Sequence, residues 1–371
     1  MSDPKLSSRL LSLDVLRGFD MLFIMGFATL VINVCKLFPG TFADAIAETM
    51  QHPAWHGFTH HDTIFPLFLF VAGVSYPFSL YKRQQQGASR VALYGQILRR
   101  GATLVLLGLI CNGLLQLQWP IRTASVLGRI GIAWAIAAVI YLNFRTKARI
   151  ALAAVVLIGY WLLLATVVAP DAPSGADGYS MEGTIVGYVD RLFLPGRLYE
   201  DIFDPEGLLS TLPAVVTAML GMMAGEFLRY ESPRWTPNKK AMGLLVIAVC
   251  LTLIGILWST TFPLNKKLWT SSFVCVVAGY SFGLLALFYW LIDVKGYKGW
   301  VLSFQVIGVN SITIFMAQRI LGFRNISNFF LGGVASLLPE EIAPILNSIG
   351  YITVCWLFLY FLYRKQIFLK V

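Results

Sequence analysis

Charge is scarce in this chain. Asp, Glu, Lys and Arg make up 13% of its 371 residues, while hydrophobic residues make up 57% and mean hydropathy is +0.70. So little charge cannot solvate the surface of a soluble domain of this size, which leaves a polytopic membrane protein. Alternating polar–apolar runs are also missing, so an all-α bundle is expected rather than a transmembrane barrel. No internal repeat is visible, which weakens an inverted-repeat transporter. No low-complexity linker splits the chain, so residues 1–371 read as a single membrane domain. The patterns GxxxxGK[ST], HExxH and GxSxG are absent, and with them the sequence handles of phosphate-loop ATPases, zincins and serine hydrolases. The 5 cysteines, Cys35, Cys111, Cys250, Cys275 and Cys355, lie in or near apolar runs at no metal-like spacing. They read as small buried hydrophobes rather than a disulfide framework.

What the chain does have is long apolar runs. A spanning helix needs roughly 20 mostly apolar residues. Candidate spans are Leu13–Phe38, Asp62–Tyr81, Ala102–Leu117, Ala124–Phe144, Ile150–Ala169, Leu208–Leu228, Ala241–Ser259, Thr270–Ile292, Val301–Leu321 and Ala343–Tyr363, about ten in all. The start carries Lys5 and Arg9, but Asp14, Arg17 and Asp20 interrupt its apolar run and no small-residue cleavage site follows, so it does not read as a cleavable signal.

The formal charge of +10 reflects orientation rather than nucleic-acid binding. Lys82, Arg83, Arg90, Arg99 and Arg100 share one loop region; Arg145, Lys147 and Arg149 another; Arg229, Arg234, Lys239 and Lys240 a third; Arg364, Lys365 and Lys370 close the tail. The positive-inside rule places these loops and both termini in the cytoplasm, as expected in a bacterial inner membrane. Two long connections then lie outside, at about 170–207 and 322–341, and long loops in compact proteins are often lids or binding loops.

Only 4 histidines occur, and all fall in "QHPAWHGFTHHDTIFP": His52, His56, His60 and His61. The spacing i, i+4, i+8 of His52, His56 and His60 would suit a metal on a helix, but Pro53 and Gly57 argue against a continuous helix, and no metal is expected. Interfacial histidines beside Trp55 are the simpler reading for His56, His60 and His61. Asp62 either caps the helix that follows or orients an imidazole, and the two jobs are compatible. Asp14, Arg17 and Asp20 fall near one helical face, where Arg17 can pair with either acid. Arg17 either meets an anionic cofactor there or holds the bundle by ion pairing. Arg129 is a second charge inside an apolar run, its partner remote or a ligand. Asn310 is a buried amide that must find partners, and Lys266 in "PLNKKLW" reads on its own as an interfacial snorkelling lysine.

Several stretches together resemble a known family. "RLLSLDVLRGFD" (9–20), "HPAWHGFTHHDTIFPLFLFVAGVS" (52–75), "SVLGRIGIAW" (125–134), "DPEGLLSTLPAVVTAMLGMMAG" (204–225), "PLNKKLWTSSFV" (263–274) and "GVNSITIF" (308–315) are similar, in the same order, to motifs of the heparan-alpha-glucosaminide N-acetyltransferase type of membrane acetyltransferase. His56 stands where the family often has Asn, and Gly128 where it often has Gln. The resemblance implies transfer of an acetyl group from cytoplasmic acetyl-CoA to the amino group of a terminal glucosamine across the membrane. It places the active-site histidine on His52 and its partner acid on Asp62. Arg17, Arg129 and Asn310 then become candidates for the cofactor, and Trp55, Glu206, Asn265 and Lys266 for the sugar. The expected partners are an amino sugar or glycan end and the lipid bilayer, with a homodimer compatible. Buried Asp14, Arg17 and Arg129 also fit a transporter of a sugar or charged solute, and an O-acyltransferase of envelope glycans is a sibling chemistry.

Overall fold

The computed structural model describes residues 10–117 and 119–369, so Lys5, Arg9 and Lys370 lie outside the described residues. The protein is all-helical; among the described residues the only β-type pairings are two isolated bridges, Arg122 with Gly196 and Val168 with Thr184. In chain order the helices are α1 (Leu11–Leu22), α2 (Ala28–Cys35), α3 (Thr41–Thr49), α4 (His60–Val74), α5 (Tyr76–Gln85), α6 (Arg90–Cys111), α7 (Val126–Asn143) and α8 (Thr146–Thr166). There follow α9 (Ile185–Phe193), α10 (Thr211–Arg229), α11 (Pro237–Trp258), α12 (Ser271–Phe288), α13 (Val301–Val309), α14 (Ser311–Ile320), α15 (Phe323–Ala335) and α16 (Ala343–Arg364). Among the described residues nine helices or helix pairs are long and apolar enough to cross a membrane. A tenth span is broken, α13 and α14 meeting at 69°.

The helix starts follow local chemistry. Ser89 Oγ accepts from Ala92 N at the head of α6, and Ser125 Oγ from Gly128 N at the head of α7. Thr236 Oγ1 caps Lys239 N, with Pro237 in the first turn of α11. The first span is interrupted by a π-helical turn, Phe23–Phe27, where Gly26 has φ +106, a conformation that favours glycine. The break in the tenth span falls on Asn310, whose Nδ2 donates to Ile367 O of the C-terminal segment.

Helix α4 sits at the centre. Phe65, Leu69 and Ala72 belong to one apolar cluster with α6, α7 and α10. Leu67, Phe70, Val71 and Val74 belong to a second with α1, α11 and α12. A helix apolar all round is an enclosed one, whereas α8, α11 and α16 leave wide apolar faces outward. The α4–α10 contact depends on glycine. A Cβ on Gly221 would overlap the carbonyl of Phe70, and one on Gly225 the carbonyl of Val74. This small-xxx-small spacing lets the two backbones touch.

Two sequence expectations are corrected. The stretch 170–207 is not all loop, since it contains α9, whose Val186, Gly187 and Asp190 are buried. The stretch 322–341 contains α15, with Phe323, Ser327 and Ala335 buried. Both helices, of 9 and 13 residues, are shorter than the roughly 20 residues of a span, so a search for spans passes over them.

The glycine contact gives a stability test. Gly221→Ala should lower the thermal midpoint in detergent by the equivalent of about 1–3 kcal/mol of overpacking. Gly159→Ala, at a helix position where a Cβ meets nothing within 4 Å, should leave it equal or slightly higher.

Candidate active site

Three elements converge on His52. The segment 52–59 is irregular, and Gly57 N donates to Leu264 O at 2.9 Å, tying it to the turn 263–270. His56 Nδ1 lies 3.3 Å from Asn265 Nδ2. Trp55 Nε1 donates to Tyr179 O at 2.7 Å, tying the same segment to the 170–207 connection. The chain then enters α4, and the head of that helix supplies the acid.

Asp62 does both jobs expected of it, one with each oxygen. Its Oδ2 accepts from Thr59 N and Thr59 Oγ1, both at 3.3 Å, closing a capping box. Its Oδ1 lies 2.6 Å from His52 Nδ1. The Asp62 side chain is 1% exposed and that of His52 46%. A carboxylate only accepts, so Nδ1 carries the proton of a neutral His52 and Nε2 carries the lone pair. Lys266 Nζ lies 3.2 Å from that Nε2, 3.4 Å from Nδ1 and 3.8 Å from Asp62 Oδ1. Burial lowers the Lys266 pKa, as does Arg129, while Asp62 and Glu206 raise it.

The histidines do not gather around one point. His52 faces Asp62 and His56 faces Asn265, while the His60 ring packs on Phe23 at 4.4 Å and near Tyr280 at 6.1 Å. The His61 ring lies edge-on to His52 at 4.5 Å. His60 and His61 are thus half-buried, packed against neighbouring rings at the head of α4. Among the described residues no group of three or more His, Cys, Asp or Glu is placed to hold a metal.

The other site residues expected from the sequence divide between the two ends of the bundle. Glu206 is paired with Arg122, which also donates to Asp204 at 2.6 and 2.8 Å. Arg129 donates to Gly207 O and Ser210 Oγ and stacks near Trp269, at the His52 end, apart from Arg17. Asn265 is fully buried and holds its own turn, Oδ1 accepting from Leu268 N at 2.8 Å. Trp55 packs edge-on against Phe203 and lies under Lys267, whose Nζ bonds Glu200 Oε1 at 2.7 Å.

At the opposite end Arg17 pairs with Asp14 and donates to Ser75 Oγ. It lines a cavity of about 200 Å³ with Arg100, Leu104, Ser311 and Phe368. A smaller apolar cavity of about 30 Å³, walled by Met21, Phe65 and Phe315, shares Phe68, Ile130 and Ile312 with the first. Phe65 is one turn from Asp62, so the two voids run along α4 from Arg17 toward His52. Asn310 lies beside the larger cavity, whose wall includes its neighbours Val309 and Ser311.

Sequence reasoning missed Arg100, Arg122, Asp190 and Asp204. Arg100 read as one of a basic loop, yet it lies half-buried in α6 over the Trp134 ring at 4.1 Å, and its buried Nε has no hydrogen-bond partner among the described residues. Asp204 was within a quoted motif, but nothing in sequence pairs it with Arg122. Asp190 is fully buried beneath Gly207; its Oδ1 accepts from Leu208 N at 2.8 Å, and Oδ2 has no partner among the described residues. Burial pushes the Asp190 pKa up to about 7, against the opposing Leu208 N–H and Arg129.

The family model for the heparan-alpha-glucosaminide N-acetyltransferase catalytic region matches residues 9–256. The chain is 29% identical to the heparan-alpha-glucosaminide N-acetyltransferase of Homo sapiens, over 86% of this chain and 56% of that protein. It is 28% identical to the protein of the same name from Mus musculus, with the same coverage. The chain thus spans a little over half the length of these curated relatives. His52, Asp62, Arg17 and Arg129 fall inside the family match; Lys266 and Asn310 lie beyond it.

Asp190 makes stability depend on pH with a definite sign. A carboxyl near 7 in the fold and near 4 when unfolded holds an extra proton in the fold between those values. Its contribution is complete below pH 4 and is lost as pH rises through 7. Asp190→Asn should therefore flatten the fall in thermal midpoint between pH 5 and pH 8; an unchanged slope would assign that dependence elsewhere.

Proposed function

The chain belongs to the heparan-alpha-glucosaminide N-acetyltransferase catalytic family, and on that premise we propose that it moves an acetyl group from cytoplasmic acetyl-CoA to the amino group of a glucosamine-type sugar on the far, periplasmic side of a bacterial inner membrane. The observation that carries the reading is the His52–Asp62 pair standing above a run of cavities. A hydrocarbon core of about 30 Å separates the two aqueous phases, so donor and acceptor from opposite sides need a path through the bundle.

The residues along that path fit the donor. Arg17 and Arg100 suit its phosphates, and a buried Nε on Arg100 without a partner suits an acceptor oxygen. The apolar walls at Phe65, Phe68 and Ile130 suit the pantetheine arm. In this reading the basic loops and both termini face the cytoplasm, and the 170–207 connection faces the sugar. Trp55, with Glu200 and Lys267 beside it, offers an apolar face and charged edges for a sugar ring.

The chemistry follows from the geometry at His52. An amine attacks a thioester only when unprotonated. With Nδ1–H given to Asp62, the His52 Nε2 lone pair is the base that takes the amine proton, and the adjacent carboxylate stabilises the imidazolium. Asp62 needs no extra support for this task, because its second oxygen is fixed by the helix cap.

His52→Ala should lower acetyl transfer from radiolabelled acetyl-CoA to glucosamine by at least about 100-fold, with a thermal midpoint lowered by the equivalent of about 1–3 kcal/mol because buried Asp62 Oδ1 loses its partner. Asp62→Asn should lower both rate and midpoint, since the variant disturbs imidazole and cap together. Turnover retained in His52→Ala would remove His52 from catalysis.

A further inference from the structure

The Lys266 ammonium stands against the His52 ring, 3.2 Å from Nε2 and 3.4 Å from Nδ1. Near-equal distances to the two nitrogens place it beside the ring and leave the Nε2 lone pair open to an amine. The placement is built rather than incidental. The two lysines of the turn diverge: Lys267 reaches out to Glu200, while Lys266 turns inward with a side chain only 20% exposed. Buried Asn265 fixes the turn between them and the His56 segment. Asp62 does not hold Lys266 tightly, since its Oδ1 is 2.6 Å from His52 but 3.8 Å from Nζ.

We propose that Lys266 is the general acid of the transfer, giving its proton to the departing thiolate and taking it back from His52. The inference rests on the acetyltransferase reading above and deepens it. The atoms balance without an outside proton. The amine nitrogen bonds the thioester carbon and passes one proton to His52 Nε2. The carbon–sulfur bond breaks, and the sulfur takes a proton from Lys266. The imidazolium then returns its proton to the neutral lysine, whose amine swings into line with Nε2 from its place 3.2 Å away, leaving an amide, a thiol and the starting protein.

The surroundings suit this exchange. His52, His61, Asp62, Glu206 and Arg129 all act on Lys266. Burial lowers its pKa below the usual lysine range and Arg129 adds to this, while Asp62 and Glu206 oppose them. A flexible four-carbon stem lets the lysine nitrogen move between the departing sulfur and Nε2.

The test compares wild type, Lys266→Met and Lys266→Arg with two donors, acetyl-CoA and the acetyl thioester of a nitrothiophenol, whose thiolate leaves without a proton. Wild-type transfer from acetyl-CoA is measured first; its absence would overturn this inference together with the function it rests on. Given that activity, Lys266→Met should lose about 100-fold in kcat with acetyl-CoA, with little change in KM, and should lose the alkaline limb of the pH–rate profile. With the nitrothiophenyl donor it should come within a few-fold of wild type. Lys266→Arg should be as slow as Lys266→Met with acetyl-CoA, because a guanidinium keeps its proton. Full activity in Lys266→Arg, or an equal loss of Lys266→Met with both donors, would overturn the role of Lys266 and leave the acetyltransferase reading standing.

Discussion

The Asp62 carboxylate divides its two oxygens between the cap of α4 and the His52 ring, and the rest of the site is arranged around that division. One oxygen closes the cap of α4, the most enclosed helix in the bundle. The other fixes the ring of a histidine that is otherwise half exposed and free to turn. A capping carboxylate belongs at a helix start, where backbone N–H groups lack partners. The imidazole is therefore oriented by a group that the helix already needs. Because α4 packs on one side against α7 and α10 and on the other against α1 and α12, the position of Asp62 is set by the bundle as a whole.

A membrane interior penalises every charge that lacks a partner, so the charges inside this chain indicate what the bundle must accommodate. Some are internally matched: Arg122 with Asp204 and Glu206, Arg149 with Glu226 at 2.7 Å, Arg17 with Asp14. Others are only partly matched. Arg129 and Arg100 each keep buried nitrogens without hydrogen-bond partners among the described residues. The first stands at the His52 end and the second beside the larger cavity, so both partly matched cations lie along the line from one face to the other.

The turn 263–270 shows how few residues it takes to complete such a site. It is joined to segment 52–59 by a backbone bond at Gly57 and by side-chain contacts of Asn265 with His56, Lys266 with His52 and Lys267 with Trp55, and it seals itself with Asn265. Its partner segment, 52–59, has no regular structure of its own and is held only by what it touches.

The sequence alone determined the class and the long helices, and its resemblance to a known family singled out His52 and Asp62 as candidates. Scarcity of charge and runs of roughly 20 apolar residues leave only a helical bundle, and the spans read from hydropathy fall on observed helices, because burial in lipid constrains every residue of a span. It did not determine the helices α9 and α15, which at 9 and 13 residues are too short to register as spans. Nor did it determine which charges meet. Arg122 and Asp204 are 82 positions apart, and Lys266 and His52 are 214 apart. Pairing over such distances is decided by how glycine-lined helices bring their ends together, which is a property of the packed bundle and not of any local stretch of chain.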